Sequence, residues 1–277
     1  MGELFNVILV APIVNILVAV YQVLSFLHIP YALGFSIILL TVLIRLILYP
    51  FTAVQLKASK KMQELNPHLS KIKDKHKGDS TRIQQETMRL YKEHGVNPAA
   101  GCLPMLIQLP IIWALYTVLQ RVVEFKGNAV VSEINKLTYQ TSFLKLSQPW
   151  DTSFFGLPLG QSPAQLITAL GTLVFILPLL TGIFQLIQSK MMFSKPVDQQ
   201  DVKNEKTPKK QDDFASAMQT QSLYIFPVMI GFFSFSFPIG ISLYWNTFTI
   251  FGILQQYQIQ GLGGLSEWTE KIKKFGK

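Results

Sequence analysis

The sequence predicts an all-α, polytopic membrane protein: a transmembrane core of five helices with a hydrophilic groove, a cytoplasmic helical hairpin and an N-terminal interfacial helix. Three observations lead there. Apolar residues make up 49% of the 277 and the mean hydropathy is positive, which is too hydrophobic for an ordinary soluble domain. Several apolar runs are long enough to cross a hydrocarbon core of about 30 Å. Between them lie polar loops that carry most of the Lys and Arg, the pattern that fixes topology in a bilayer.

Residues 1–30 are apolar but interrupted by Asn6, Pro12, Asn15, Gln22 and Ser25, and Ala11, Asn15, Ala19, Gln22 and Ser25 make a narrow small or polar stripe. That pattern suits an amphipathic helix in the interface, and a further span is the other reading. Glu3 stands where a signal peptide carries basic residues, and no small-residue cleavage site stands out. Pro30 then breaks the chain ahead of the first clear span, 31–56. Its stretch from Gly34 to Leu56 is roughly 23 residues, about 34 Å as one helix. Arg45 lies near mid-depth, where a guanidinium costs from about 3 to 10 kcal/mol or more and must face protein or water. The alternative is an arginine that neutralises a partner or snorkels to an interface. Thr41, four residues earlier, and Thr52, seven later, share its helix face.

From 57 to 98 the chain carries ten Lys or Arg against five Asp or Glu, which places it in the cytoplasm. Met62, Leu65, Leu69 and Ile72, then Ile83 and Leu90 after a Lys77-Gly78-Asp79 break, repeat at helical spacing and predict a two-helix hairpin. Asn66-Pro67 kinks the first helix, Thr81 with Gln84 offers a capping box for the second, and Asn97-Pro98 ends the pair. The apolar seam is thin, so the hairpin is expected to move. A second span covers 99–123, with Pro104, Gln108 and Pro110, and the loop 124–163 has the mixed charge of an outer segment. The third span, 164–189, carries Pro178 as its expected kink, and 190–221 is a polar loop poor in apolar residues. Spans 222–237 and 238–260 are joined at Pro238-Ile239-Gly240. The tail 261–277 holds Lys271, Lys273, Lys274 and Lys277, which puts the C-terminus inside. Five spans with the N-terminus outside, or six with it inside, satisfy the same charges.

Sorted by depth, most polar residues of the spans fall in the cytoplasmic half: Gln108; Thr181, Gln185 and Gln188; Asn246, Thr249 and Gln256. With Arg45 and Thr52 they argue for a wet cavity that opens to the cytoplasm and ends near mid-membrane. Ser234 and Ser236 are exceptions in the outer half. The competing explanation is hydrogen bonding between helices, at roughly 0.6 kcal/mol per contact. Nothing resembles an enzyme. His28, His68, His76 and His94 lie in interfacial or loop segments, no span contains Asp or Glu, and no phosphate loop or metal-ligand spacing occurs. The single cysteine, Cys102, excludes a disulfide within the chain. No cofactor is implied. The net charge of +9 sits beside apolar spans and points to anionic headgroups and not to DNA, with ribosomal RNA open as a second partner.

Three stretches, GFSIILLTVLIRLILYPFT at 34–52, VNPAAGCLPMLIQLPIIWALY at 96–116 and FPIGISLYWNTFTI at 237–250, resemble the YidC/Oxa/Alb membrane-protein insertases, over roughly Leu9 to Gln260. The expected form is the short bacterial one, since the sequence as read shows neither the large extracytoplasmic domain nor the lipoprotein cysteine of some relatives and carries a short basic tail. The resemblance implies a five-helix core around a groove open to cytoplasm and lipid but closed outside, in a multi-pass protein of the bacterial cell membrane. It implies an insertase and chaperone for nascent membrane proteins, with the ribosome and the Sec translocon as possible partners. Arg45 matches the groove arginine, Thr41 and Trp245 match positions along the path of a substrate helix, and Gln108 matches a polar groove residue. Thr52, Gln185 and Asn246 join them on the depth argument. Two other readings stay open: an anion channel or transporter that binds at Arg45, for which the expected inverted repeat is not visible, and an assembly factor that holds helices without inserting them.

Overall fold

The computed structural model describes residues 4, 6–76, 78–95, 103–124, 128–139, 144–192 and 221–266. Cys102, Asn97-Pro98, most of the 190–221 loop and the basic cluster of the tail lie outside the described residues. The chain forms two compact units. One comprises Met1–Leu48, Pro104–Phe184 and Met229–Phe251, the other Tyr49–Leu103, Gln185–Val228 and Gly252–Lys277.

In the first unit a π-helical turn, Asn6–Val10, leads into α1, Ala11–Phe26, and a short turn through Tyr31 leads to α2, Ala32–Ile47. Val14, Leu17 and Val18 of α1 and Leu33, Ile37 and Leu40 of α2 are buried in one core. Within the small and polar stripe Ser25 is exposed but Asn15 does not face water. Asn15 is buried, its amide donates to the Ala11 carbonyl at 2.6 Å, and its Oδ1 accepts the Tyr139 N–H at 2.7 Å. Gln22 donates to the Lys145 carbonyl at 3.0 Å. These two side chains tie loop backbone to α1.

The rod expected over Gly34 to Leu56 is two helices. α2 stops at Ile47, the Leu48 N–H closes it on the Ile44 carbonyl at 2.9 Å, and α3, Tyr49–Glu64, opens the second unit. The reason is Pro50, which lacks an N–H and whose ring would strike the carbonyl four residues back in a continuous helix. Thr52 therefore leaves the helix that carries Arg45. α4, Asn66–Lys75, starts with Pro67 in its first turn, and α5, Ser80–Glu93, follows a turn in which Gly78 has φ 91°. The cap of α5 is Asp79, whose carboxylate accepts the Arg82 N–H at 3.0 Å. It displaces the Thr81/Gln84 box because an aspartate two residues earlier already satisfies the end donors.

α6, Leu103–Glu124, keeps Pro110 in its interior and buries Ile111, Ala114, Leu115, Val118 and Leu119 at helical spacing. Arg121 near its end pairs with Glu133 of α7, Asn128–Asn135, at 2.5 Å, and Glu133 also pairs with Lys136. Strands β1, Ser153–Phe154, and β2, Leu157–Pro158, form a minimal hairpin whose turn places Phe155 and Gly156 at φ 49° and 84°. The Phe154 ring fills a notch at Gly34, where an added Cβ would lie 2.0 Å from it.

The expected third span begins irregularly. Pro163–Leu166 is a 3-10 turn capped by Ser162 and Gln165, Gly171 takes φ 57°, and only at Ile176 does α8, Ile176–Met192, become regular. The break is at Gly171 and not at Pro178. Pro178 falls in the first turn of α8, where its missing N–H has no helical acceptor to lose. α9, Phe226–Ser236, and α10, Ile239–Gln260, complete the fold. The N–H groups of Ile239 and Gly240, orphan donors at the start of α10, go to the carbonyls of Gln161 and Leu159 at 2.8 Å each.

The distribution of polarity is that of a membrane protein. Ser36, Thr41, Arg45, Thr181, Ser234, Ser242, Asn246 and Thr249 are buried, while Leu43, Leu46, Trp113, Leu173, Leu179, Val228 and Phe232 are exposed. Pro163–Met192 is long and apolar enough to cross a bilayer, and α2 with α3 suffices if that broken pair is counted as one span.

Candidate functional site

Arg45 projects from the last turn of α2 and is only 5% exposed. Its Nη2 donates to the Phe248 carbonyl of α10 at 2.6 Å, and its Cζ lies 3.4 Å from the centroid of the Phe248 ring. Among the described residues the Nε N–H has no acceptor and no carboxylate pairs with the guanidinium. One turn earlier on α10 the fully buried Tyr244 stands 5.9 Å from the Phe248 ring, and its hydroxyl accepts from Gln108 of α6 at 2.6 Å. Gln108, Tyr244, Phe248 and Arg45 thus form one polar and aromatic chain that ties α6, α10 and α2 together. Tyr244 and Phe248 were not among the candidates. Their signal was an aromatic pair four residues apart, which reads as ordinary apolar packing until an arginine is placed against it.

Thr41 is also buried, one turn from Arg45, and its hydroxyl donates to the Ile37 carbonyl at 2.6 Å. Trp245 is half-buried and borders a small apolar crevice with Phe233, Phe237, Ile241 and Ser242. The floor of that crevice is a hydroxyl cluster: Ser234 bonds Ser242 at 2.8 Å and Thr181 at 3.3 Å, while Thr181 donates to the Leu177 carbonyl at 2.9 Å. Here the interhelical explanation of span polarity applies.

Asn246 and Thr249 are buried, and Asn246 Oδ1 and Thr249 Oγ1 have no hydrogen-bond partner among the described residues. Asn246 lies two residues from Phe248, which is about 200° around a helix of 3.6 residues per turn. Asn246 and Ser242, four apart, therefore share a face of α10 that is not the one meeting Arg45. Matching depth does not make these residues one lining.

The other two candidates belong to the second unit. Thr52 donates to the Tyr49 carbonyl at 3.0 Å and accepts from Gln255 of α10, and Gln260 donates to the Leu56 carbonyl. Gln185 is buried. Thus Arg45, Thr41, Gln108, Trp245 and Asn246 fall in one unit, and Thr52 and Gln185 in the other.

Comparison with known proteins gives a consistent set of relatives. The sequence profile of the 60Kd inner membrane protein family matches residues 23–263. A membrane protein insertase YidC from Fusobacterium nucleatum subsp. nucleatum is 33% identical over 230 residues, covering 83% of this chain and 87% of its own. One from Oceanobacillus iheyensis is 33% identical over 226 residues, 80% of this chain and 72% of its own. The inner membrane protein ALBINO3, chloroplastic, of Arabidopsis thaliana is 35% identical over 266 residues, 92% of this chain and 53% of its own. A solved structure described as an active YidC insertase with the first transmembrane domain resolved is 25% identical, covers 83% of this chain and 42% of that one, and has a TM-score of 0.47.

Proposed function

The chain belongs to the 60Kd inner membrane protein family of YidC/Oxa/Alb insertases, and from that premise we propose that it inserts membrane proteins, and helps them fold, through a positively charged groove open to the cytoplasm. The observation that carries this reading is Arg45: a buried guanidinium in an apolar helix whose partners are a carbonyl and a ring, with no carboxylate among the described residues. Among the described residues nothing compensates its charge, and a buried charge without a counter-ion attracts one. In this proposal Arg45, Thr41, Gln108 and Trp245 meet the substrate, Thr52 and Gln185 serve its cytoplasmic entry, and Asn246 lies on the side of α10 beyond Trp245.

The mechanism follows from depth. A single-spanning substrate must move a short polar segment across hydrocarbon that can satisfy none of its backbone groups. A half-membrane cavity with one fixed cation shortens that path and draws acidic side chains inward. The apolar part of the substrate then partitions into lipid along the exposed faces of the helices, and this supplies the driving force without nucleotide. The hairpin α4–α5 receives the substrate, and the C-terminus, in the cytoplasm, lies beside anionic lipids and near the ribosome or a Sec translocon.

The test is reconstitution of the purified chain in lipid vesicles with a small single-span substrate. The expected result is a protease-protected substrate fragment that protein-free vesicles do not give. Folded protein that gives no protection above lipid alone would overturn the proposal.

A further inference from the structure

Arg45 is almost wholly buried, and what lies over it is a side chain and not backbone. The guanidinium carbon is 3.4 Å from the Phe248 centroid, so the negative face of the ring covers one side of the cation. The carbonyl that accepts from Nη2 belongs to the same residue but is fixed in the α10 backbone. The ring hangs from two rotatable bonds and is only half-buried itself. Tyr244, fully buried, stands 5.9 Å away on one side, and the ring packs against the core that Tyr244 belongs to.

We propose that the Phe248 ring is a cover that sets how strongly the groove selects acidic segments: it occupies the face of Arg45 at rest, and an incoming carboxylate must displace it to reach the cation. The inference rests on the insertase reading and adds a specificity-determining residue to it. The physical basis is a ranking of partners. A carboxylate brings a full charge and two acceptors, and charge-assisted hydrogen bonds outrank a ring quadrupole once water is excluded. A neutral amide or hydroxyl does not outrank it. The ring therefore yields to acidic substrates, and lowers the net pull on them by the attraction that has to be broken. The buried Nε N–H, which has no acceptor among the described residues, is a donor the carboxylate would meet once the ring has been displaced.

The experiment measures protease-protected substrate in vesicles for acidic and neutral versions of one outer segment, with folded insertase matched by size-exclusion chromatography. Phe248→Leu removes the ring and keeps an apolar side chain, and should raise the acidic-to-neutral ratio about threefold or more, the lower part of the range expected for loss of a cation–π contact. Phe248→Tyr, which restores a ring, should return the ratio to the wild-type value. If Phe248→Leu does not fold, Phe248→Met carries the same comparison. A ratio that stays level or falls on loss of the ring overturns the proposal, because the ring would then position Arg45 and not cover it. The two levels of the argument separate: wild type without protected substrate removes the insertase reading, whereas an active wild type with a level ratio in Phe248→Leu removes only the cover.

Discussion

Gly34 shows how far a single residue can be read from the chain and where reading stops. In the sequence it is a small residue at the start of an apolar run; in the fold it is the space occupied by the Phe154 ring, more than a hundred positions away. Gly34→Val should overpack that notch and destabilise the protein by about 1–3 kcal/mol, read as a lower midpoint of thermal unfolding in detergent. An unchanged midpoint would mean that the β1–β2 hairpin moves aside at no cost. Arg45 was legible for a different reason, since a charge within an apolar run is visible without any partner. Its partners were not. Phe248 and Tyr244 carry no polar signal of their own, and the Gln108–Tyr244 hydrogen bond joins positions 136 residues apart.

Helices were more legible than their breaks. Apolar runs mark α2, α6, α8 and α10 because the bilayer demands them, but the interruption at Leu48 lies within a run that stays apolar on both sides, so hydropathy passes over Pro50. On α10 the depth argument groups Asn246 with Arg45, while Asn246 lies about 200° around the helix from Phe248. Depth is one coordinate and angle is the other. Electrostatics at the α6–α7 junction yields a prediction of its own. The hydrogen bond from Lys136, with the charges of Lys136 and Arg121, holds the Glu133 carboxyl below its ordinary value of 4.5, against the opposing effect of burial. A depressed carboxylate contributes stability that is full above its unfolded value and lost as the pH falls through the folded one. Thermal midpoints of wild type should therefore drop between neutral pH and pH values below 4.5, and Glu133→Gln should show a smaller drop, starting from a lower midpoint at neutral pH. Parallel curves for the two proteins would mean that the junction does not depend on this ion pair.

For the molecule as a whole the claim is directional, and topology is the first thing it must satisfy. The hairpin segment 57–98 should face the cytoplasm and the loop 124–163 the outside, on the excess of Lys and Arg in the former. Impermeant thiol labelling of single cysteines at Lys73 and Lys136, in a Cys102→Ser background, should modify only position 136 from outside. Labelling of position 73 from outside would invert the arrangement and with it the cytoplasmic entry. The central claim is that the uncompensated charge of Arg45 is what insertion uses. Lysine keeps the charge while losing the planar fork, and alanine loses both. The decisive measurement is protease-protected substrate in vesicles, at matched folded levels of wild type, Arg45→Lys and Arg45→Ala, for acidic and neutral versions of one outer segment. The account predicts that Arg45→Lys retains most of the insertion of both, and that Arg45→Ala loses the acidic version about tenfold while sparing more of the neutral one, a factor that corresponds to about 1.4 kcal/mol of lost attraction. Insertion of both versions at the wild-type level by Arg45→Ala would contradict it and leave Arg45 a structural residue that holds α2 against α10.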